Sequence, residues 1–249
     1  MTKRNNLSSD FKNYPFLTSE EFAEVCHYLE RRYCQATLGP VRKKWKLRVC
    51  TALNTSFTLG PEYNTYIQII RPLDENLDDG DLSKYLDNLS FDSNHQTGPE
   101  TQADSEMIEA EEADQTSIVL PRTTPPALSG RAGYVQYEIH LHPTYQAPCL
   151  WFSLHDLPNN EPAFHIDTVF RRLVPDQYKD GLRNAAPIGG ISADHHPVTG
   201  LPSFFVHPCL LGEAMSRFDC DKENYLMVWL GLVGGCVGLW VPAEMALQA

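Results

Sequence analysis

Residues 1–15 of this chain are polar and contain no apolar h-region, so a secretory signal is not expected. A membrane span is not expected either. The uncharged run Tyr225 to Trp240 is 16 residues long, short of the roughly 20 that a spanning helix needs. The seven cysteines are odd in number and irregularly spaced, which argues against a disulfide framework. Basic charge is scarce, with 20 Lys and Arg against 32 Asp and Glu, so a nucleic-acid binder with a basic face is excluded. These absences point to a reduced compartment, and a cytoplasmic location is expected.

The acidity is local. Between Leu73 and Leu120 stand 14 acidic residues and one basic residue, Lys84, which leaves 19 basic and 18 acidic residues elsewhere. From about Asp74 to Ser129 the sequence loses all periodicity and ends in Pro125-Pro126. So little apolar surface cannot offset the entropy of ordering the chain. The expected organisation is a flexible N-terminus over 1–15, one domain built from 16–72 and 131–242, a disordered acidic insertion over 73–130, and a tail over 243–249. Within the insertion, Leu82, Tyr85, Leu86 and Leu89 could form a short partner-binding helix. The basic cluster Arg42-Lys43-Lys44-Trp45-Lys46-Leu47-Arg48 reads as a strand edge guarded by lysines rather than a phosphate site.

The rest of the chain is patterned. Thr18 and Glu21 fit a capping box, and Phe22, Val25, Cys26, Leu29 and Tyr33 recur at helical spacing up to Gly39-Pro40. Leu47, Val49, Thr51 and Leu53 alternate as a half-buried strand, and Thr65–Ile70 is a second β-rich run, with Gly60-Pro61 as the turn between them. Val135, Tyr137, Ile139 and Leu141 form a third strand, and Leu150, Phe152 and Leu154 mark a fourth. The expectation is an α+β fold with an N-terminal helix, a four-stranded antiparallel meander and C-terminal helices. Asp167 is expected to cap a short helix stopped by Pro175, and Gly181 to Pro202 reads as loop. A helix is expected near Leu210–Phe218, and Tyr225 to Trp240 reads as a buried closing helix with a glycine-rich end.

The segment Ser203–Leu211 carries the chemistry. Its strand-like run must stop at Pro208, which has no N–H to give a ladder. Cys209 is thereby expected on an irregular turn before a helix start, a setting that leaves a thiol reachable and reactive; the alternative is an ordinary buried cysteine. Three chemistries compete. Metal binding would use His195, His196, His207 and Cys209, but the paired spacings of structural zinc sites do not occur. A cysteine hydrolase would need a histidine base, with His155, His165, His195 or His207 as candidates. Acyl carriage needs only an exposed cysteine, a polar helper and a docking surface, because a thioester is already activated toward an amine. Cys149, which also follows a proline but opens a strand, is expected to be inert, and Cys26, Cys220 and Cys236 read as passive.

Longer blocks decide between these chemistries. His207-Pro208-Cys209 matches the His-Pro-Cys signature of the autophagy conjugating enzymes. The run His196–Cys209, the run Tyr137–His140 continuing to Thr144–Pro148, and Trp229–Gly234 with Val237–Leu239 together resemble the autophagy-related protein 10 family. The resemblance implies a ubiquitin-conjugating-enzyme-like fold that needs no metal and no cofactor. By the same resemblance, Cys209 would carry autophagy-related protein 12 as a thioester, received from the activating enzyme, autophagy-related protein 7. It would then pass it to a lysine of autophagy-related protein 5, with His207 and Tyr145 as helpers. The family is also held to pair its sheet, and the hairpin around Tyr137–Leu154, with the acceptor's own β structure by strand addition at an exposed edge. The nearest alternative is the lipid-conjugating sister family (autophagy-related protein 3), whose amphipathic N-terminal helix Met1 to Tyr14 does not offer. A non-catalytic adaptor on the same fold is a further alternative.

Overall fold

The first helix starts at the capping box. In the computed structural model, which describes residues 10–54, 62–73, 133–184 and 190–247, Thr18 Oγ1 accepts the Glu21 N–H at 3.2 Å and Glu21 Oε2 accepts the Thr18 N–H at 2.9 Å. Two of the N–H groups that a helix start leaves without partners are thereby satisfied. Helix α1, Ser19–Gln35, buries Phe22, Val25, Cys26, Leu29 and Tyr33, the stripe that the spacing predicts. Its last carbonyls are met by Arg42, whose Nη2 donates to Tyr33, Cys34 and Ala36 at 2.9–3.3 Å. Arg42 of the basic cluster therefore closes a helix end. The short helix α2, Val41–Lys44, follows.

Strands β1 (Lys46–Asn54), β2 (Glu62–Pro72), β3 (Tyr134–His142) and β4 (Ala147–His155) form the expected antiparallel meander. The sheet has six strands, however, not four: β5 (Ile191–His195) and β6 (Pro202–Val206) add a hairpin, giving the order β1-β2-β3-β4-β6-β5. The region read as loop between Gly181 and Pro202 thus contains an edge strand. The run Ile191-Ser192-Ala193-Asp194-His195 shows no apolar alternation and is exposed over its second half. Its strand conformation comes from pairing with β6, a long-range effect that local pattern does not record. The added hairpin also corrects the expected docking edge. Strands β3 and β4 are interior, and the outer strands of the sheet are β1 and β5.

Side-chain alternation gives the sheet two different faces. On one, Ile67, Ile69, Val135, Tyr137, Ile139, Leu150, Phe152 and Phe204 join the core that includes α1 and α6 (Tyr225–Val233). The buried hydroxyls on this side are paired: Tyr137 donates to Val237 O at 2.7 Å and Tyr225 to Pro15 O at 2.6 Å. The opposite face carries the polar Arg48, Gln68, Gln136, Glu138 and His140 on β1–β3 and the stacked rings of Trp151 and Phe205 on β4 and β6.

Between β4 and β5 lie α3 (Ile166–Arg172) and α4 (Asp176–Asn184). The cap of α3 is His165, whose Nδ1 accepts the Asp167 N–H at 3.3 Å; Asp167, the expected cap, lies inside the first turn. Helix α4 fully buries no side chain; only Tyr178 and Leu182, one turn apart, pack half-buried against the core, too short a stripe to be recognised from spacing. After β6 come α5 (Leu211–Ser216), then α6, a 3₁₀ turn at Gly234–Val237, and α7 (Ala243–Ala246) with Met245 buried. The chain divides into two units, Met1–Leu77 with Arg131–Ala249, and Asp78–Gly130. The second unit, with the expected Leu82–Leu89 helix, lies outside the described residues, as does the Gly60-Pro61 turn. No helix among the described residues is long and apolar enough to cross a membrane.

Candidate functional site

Strand β6 delivers the cysteine. Phe204 and Val206 lock into register against Phe152 and Leu150 of β4, and His207 N–H donates to Gly190 O at 3.2 Å. At Pro208 the ladder stops. Residues Pro208–Leu210 close a single 3₁₀ turn that runs directly into α5. Cys209 therefore sits in a regular turn rather than an irregular one, two residues before the start of a helix shorter than expected. The turn is capped by His207, whose Nδ1 accepts the Cys209 N–H at 3.2 Å. Pro208 is buried, Cys209 is half-buried and Leu210 is exposed, so the proline anchors the turn and the thiol lies near its outer side.

Four of the other six cysteines, Cys26, Cys149, Cys220 and Cys236, are held back by burial. Burial pushes the Cys149 thiol up to about 12 and the Cys236 thiol to about 11. Each donates to a carbonyl, Cys149 to Val206 O and Cys236 to Val233 O. Cys220 is buried against the Tyr14 hydroxyl at 3.3 Å, and burial raises its thiol as well. Cys26 is fully buried and raised by the same cause.

Tyr145 comes to the same place from the β3–β4 turn. Its ring lies 5.5 Å from that of His207, edge to face, and 4.8 Å from that of His142. His142 was not visible as a site residue in the sequence. Its Nδ1 accepts the N–H groups of Thr144 and Tyr145 at 3.2 and 3.3 Å, and so shapes the turn that presents the tyrosine. The same turn is tied to the N-terminal segment by Leu17 N–H donating to Gln146 O at 2.8 Å. Burial, and then the proximity of His207, holds the His142 imidazole below its ordinary value.

One local motif recurs. His142, His165, His196 and His207 each use Nδ1 to accept the backbone N–H two residues on. In a neutral imidazole the proton then resides on Nε2. His207 is in consequence a hydrogen-bond donor at its outer nitrogen and has no free lone pair with which to act as a base.

The remaining candidates disperse. His195 is exposed beside Asp194, and His155 bonds Ser153 Oγ at 2.8 Å. His196 turns to Glu138, so the four residues weighed for a metal, His195, His196, His207 and Cys209, are not gathered. The group that does converge among the described residues is Glu138, His140 and His196, all buried. His196 Nδ1 already faces the N–H groups of Val198 and Thr199 at 3.3 Å. A metal on Nε2 would move the proton to Nδ1 and set it against those two donors, so this triad does not suit a cation. No imidazole among the described residues is hydrogen-bonded to Cys209 Sγ, which leaves the hydrolase reading without its base.

This leaves a reachable thiol, a histidine donor and a tyrosine at the junction of two turns. The family described as "Autophagocytosis associated protein, active-site domain" matches residues 21–244. A Gibberella zeae protein named ubiquitin-like-conjugating enzyme ATG10 is 60% identical over 237 residues, covering 95% of this chain and 99% of its own length. The chain belongs to the ATG10 family of ubiquitin-like-conjugating enzymes. Two more distant relatives carry the same name. The Homo sapiens protein is 30% identical over 120 residues, 45% of this chain and 53% of its own length. The Arabidopsis thaliana protein is 28% identical over 150 residues, 57% of this chain and 63% of its own length. The family match takes in Tyr145, His207 and Cys209 together, and the shared name favours this family over its lipid-conjugating sister.

Proposed function

We propose that the chain is a cytoplasmic conjugating enzyme that carries autophagy-related protein 12 on Cys209 and transfers it to a lysine of autophagy-related protein 5. Residues 16–72 and 131–242 would form one ubiquitin-conjugating-enzyme-like domain. In the loading step the Cys209 thiolate attacks the thioester held by autophagy-related protein 7. A new S–C bond forms to the modifier's terminal glycine and the activating enzyme's thiol leaves. In the second step the neutral lysine Nζ attacks that carbonyl, an isopeptide bond forms, the C–S bond breaks with Cys209 departing as thiolate, and the proton lost from nitrogen passes to solvent water. A thiolate is a good enough leaving group for this to proceed without a strong acid–base pair. Electrostatic help would come from the Nε2–H of His207, available to an oxyanion, and from the hydroxyl of Tyr145, which can donate to an oxyanion or accept from the incoming amine. The reaction calls for no cofactor.

The observation that carries this reading is the 3₁₀ turn at Pro208–Leu210, which holds Cys209 half-buried and capped by the histidine two residues before it. The test incubates Cys209→Ser with the modifier, the activating enzyme and ATP. The expected product is an oxyester that survives reducing conditions, where the wild-type adduct is lost to thiol. Undiminished transfer by Cys209→Ser, or no adduct on the wild-type protein, would refute the proposal.

A further inference from the structure

A line of polar side chains crosses the sheet on the face away from the helices and ends in the hairpin that carries Cys209. At its centre is Glu138 of β3, 5% exposed. Its Oε1 accepts from Gln68 Nε2 at 2.8 Å and from Gln136 Nε2 at 2.7 Å. Its Oε2 lies 2.9 Å from His140 Nε2 and 3.0 Å from His196 Nε2. Arg48 of β1 joins through Gln68, donating Nε to Gln68 Oε1 at 2.9 Å. One carboxylate thus gathers four donors and draws charge toward itself from the far edge of the sheet.

Only one of those donors comes from outside β1–β4. His196 belongs to the turn between β5 and β6, which folds around it: His196 N–H donates to Leu201 O at 2.8 Å, and Gly200 N–H to His196 O at 2.9 Å. Its Nδ1 takes the N–H groups of Val198 and Thr199, which leaves Nε2–H for Glu138. The ring is also boxed edge-on by His140 at 5.1 Å and by Trp151 at 5.6 Å. Elsewhere the hairpin is joined to the sheet by three register pairs, Leu150–Val206, Trp151–Phe205 and Phe152–Phe204. Buried Phe204 and Val206 set the register of β6, but three pairs leave the far end of the hairpin without ladder contacts to β4. A buried charge-assisted bond is directional and costly to break, because it would leave a carboxylate short of a donor in a dry place.

From the Glu138–His196 contact we infer that these two residues are positioning residues of the transfer reaction. They clamp the far end of the β5–β6 hairpin to the sheet, and β6 passes that constraint along to the Cys209 turn. The Tyr145 turn is built from β3 and β4, whereas the Cys209 turn hangs from β6. Rings meet across the two halves at Tyr145–His207, Trp151–Phe205 and Phe152–Phe204, and the clamp adds the buried charge-assisted tie at the far end of the hairpin. This inference rests on the reading of Cys209 as the acyl carrier, but the clamp itself can be tested without it.

His196→Asn separates its two roles, since Asn Oδ1 can still accept the Val198 N–H while its amide is too short to reach Glu138. Glu138→Gln removes the carboxylate from the other side. The first measurement is amide hydrogen exchange, which needs no partner. Expected is loss of protection at Ser203–Val206 in both variants, with Tyr137–Ile139 still protected. The second is single-turnover discharge of a preformed Cys209 thioester to the acceptor, well below the melting temperature. There we expect about tenfold to a hundredfold slower transfer, with loading within about twofold of wild type. The double variant should be no worse than the poorer single one, as residues acting as a unit are not additive. A purely structural pair would lower the melting temperature and leave both the β6 protection and the discharge rate of folded protein at wild-type values, and that result would overturn the clamp. A wild-type protein that forms no adduct would remove the proposed function, while the exchange pattern would still decide the clamp.

Discussion

At the scale of single residues, the site is governed by where imidazole protons sit. His207 accepts the Cys209 N–H, so it combines two jobs, capping a turn through Nδ1 and offering a proton at Nε2. His207→Asn should keep the cap and draw the outer donor back to the shorter amide, Nδ2–H in place of Nε2–H. His207→Ala should lose both, at a stability cost of about 1 kcal/mol for the cap. A thermal melt and a discharge assay on the pair separate the roles: equal melting temperature but slower discharge for His207→Asn would assign the catalytic share to Nε2–H. Cys149 supplies the contrasting case. It is buried and its thiol is pushed up to about 12 by desolvation, so Cys149→Ala should leave the modifier adduct on the protein undiminished on a non-reducing gel. Tyr145→Phe removes the hydroxyl but keeps the ring between His142 and His207; it should slow discharge without moving the melting temperature.

At the scale of elements, close approach sets the constraints. The 3₁₀ turn after α6 folds back so tightly that a Cβ on Gly234 would meet Leu239 O at 2.3 Å. Backbone, not a flexible side chain, is in the way, and Gly238 just beyond holds φ at +68°. Gly234→Ala should therefore cost about 1–3 kcal/mol by overpacking, measurable as a shift in the denaturant midpoint. Gly212, in α5 next to the cysteine turn, is different. Its added Cβ would meet the ring of Phe16 at 3.0 Å, and that ring is 38% exposed and free to swing aside. A smaller loss is expected there.

At the scale of the whole molecule, stability is coupled to pH through buried imidazoles and one carboxylate. Burial disfavours the charged forms of His140 and His155 and lowers both below 6.5. The unfolded chain then binds these protons first, and stability falls as pH drops through about 6.5 toward the folded values. Burial opposes the charged form of Glu138 too, but the bonds from His140 and His196 outweigh it and hold the carboxyl well below the usual range. Its contribution is complete above 4.5 and is lost as pH falls further. Melting temperature should thus decline from pH 7 to pH 5 and decline again below pH 4.5, with the second phase smaller in Glu138→Gln, where Glu21 and Glu161, also held low, still contribute. The insertion makes a separate prediction. Leu73 N–H donates to Gly133 O at 2.8 Å, so its two ends already meet within the sheet. Replacing Asp78–Gly130 with a short Gly-Ser linker closes a loop at little entropic cost and should leave thioester formation intact.

By itself the sequence determined the capped first helix, the four-strand meander and the end of a strand at the proline before Cys209, because each is written in spacing a few residues long. Thr18 and Glu21 bond each other, Val135 to Leu141 alternate, and Pro208 cannot continue a ladder wherever it is placed. The tertiary structure alone decided the fifth and sixth strands' place in the sheet, the role of His142 and the meeting of Glu138 with His196. Ile191–His195 has no pattern of its own and is extended because β6 lies beside it. Glu138 and His196, 58 positions apart, are joined by a hydrogen bond that no local period encodes. Which residues can form a helix or strand is local physics, whereas which buried donors find which acceptor is settled only when the chain has closed on itself.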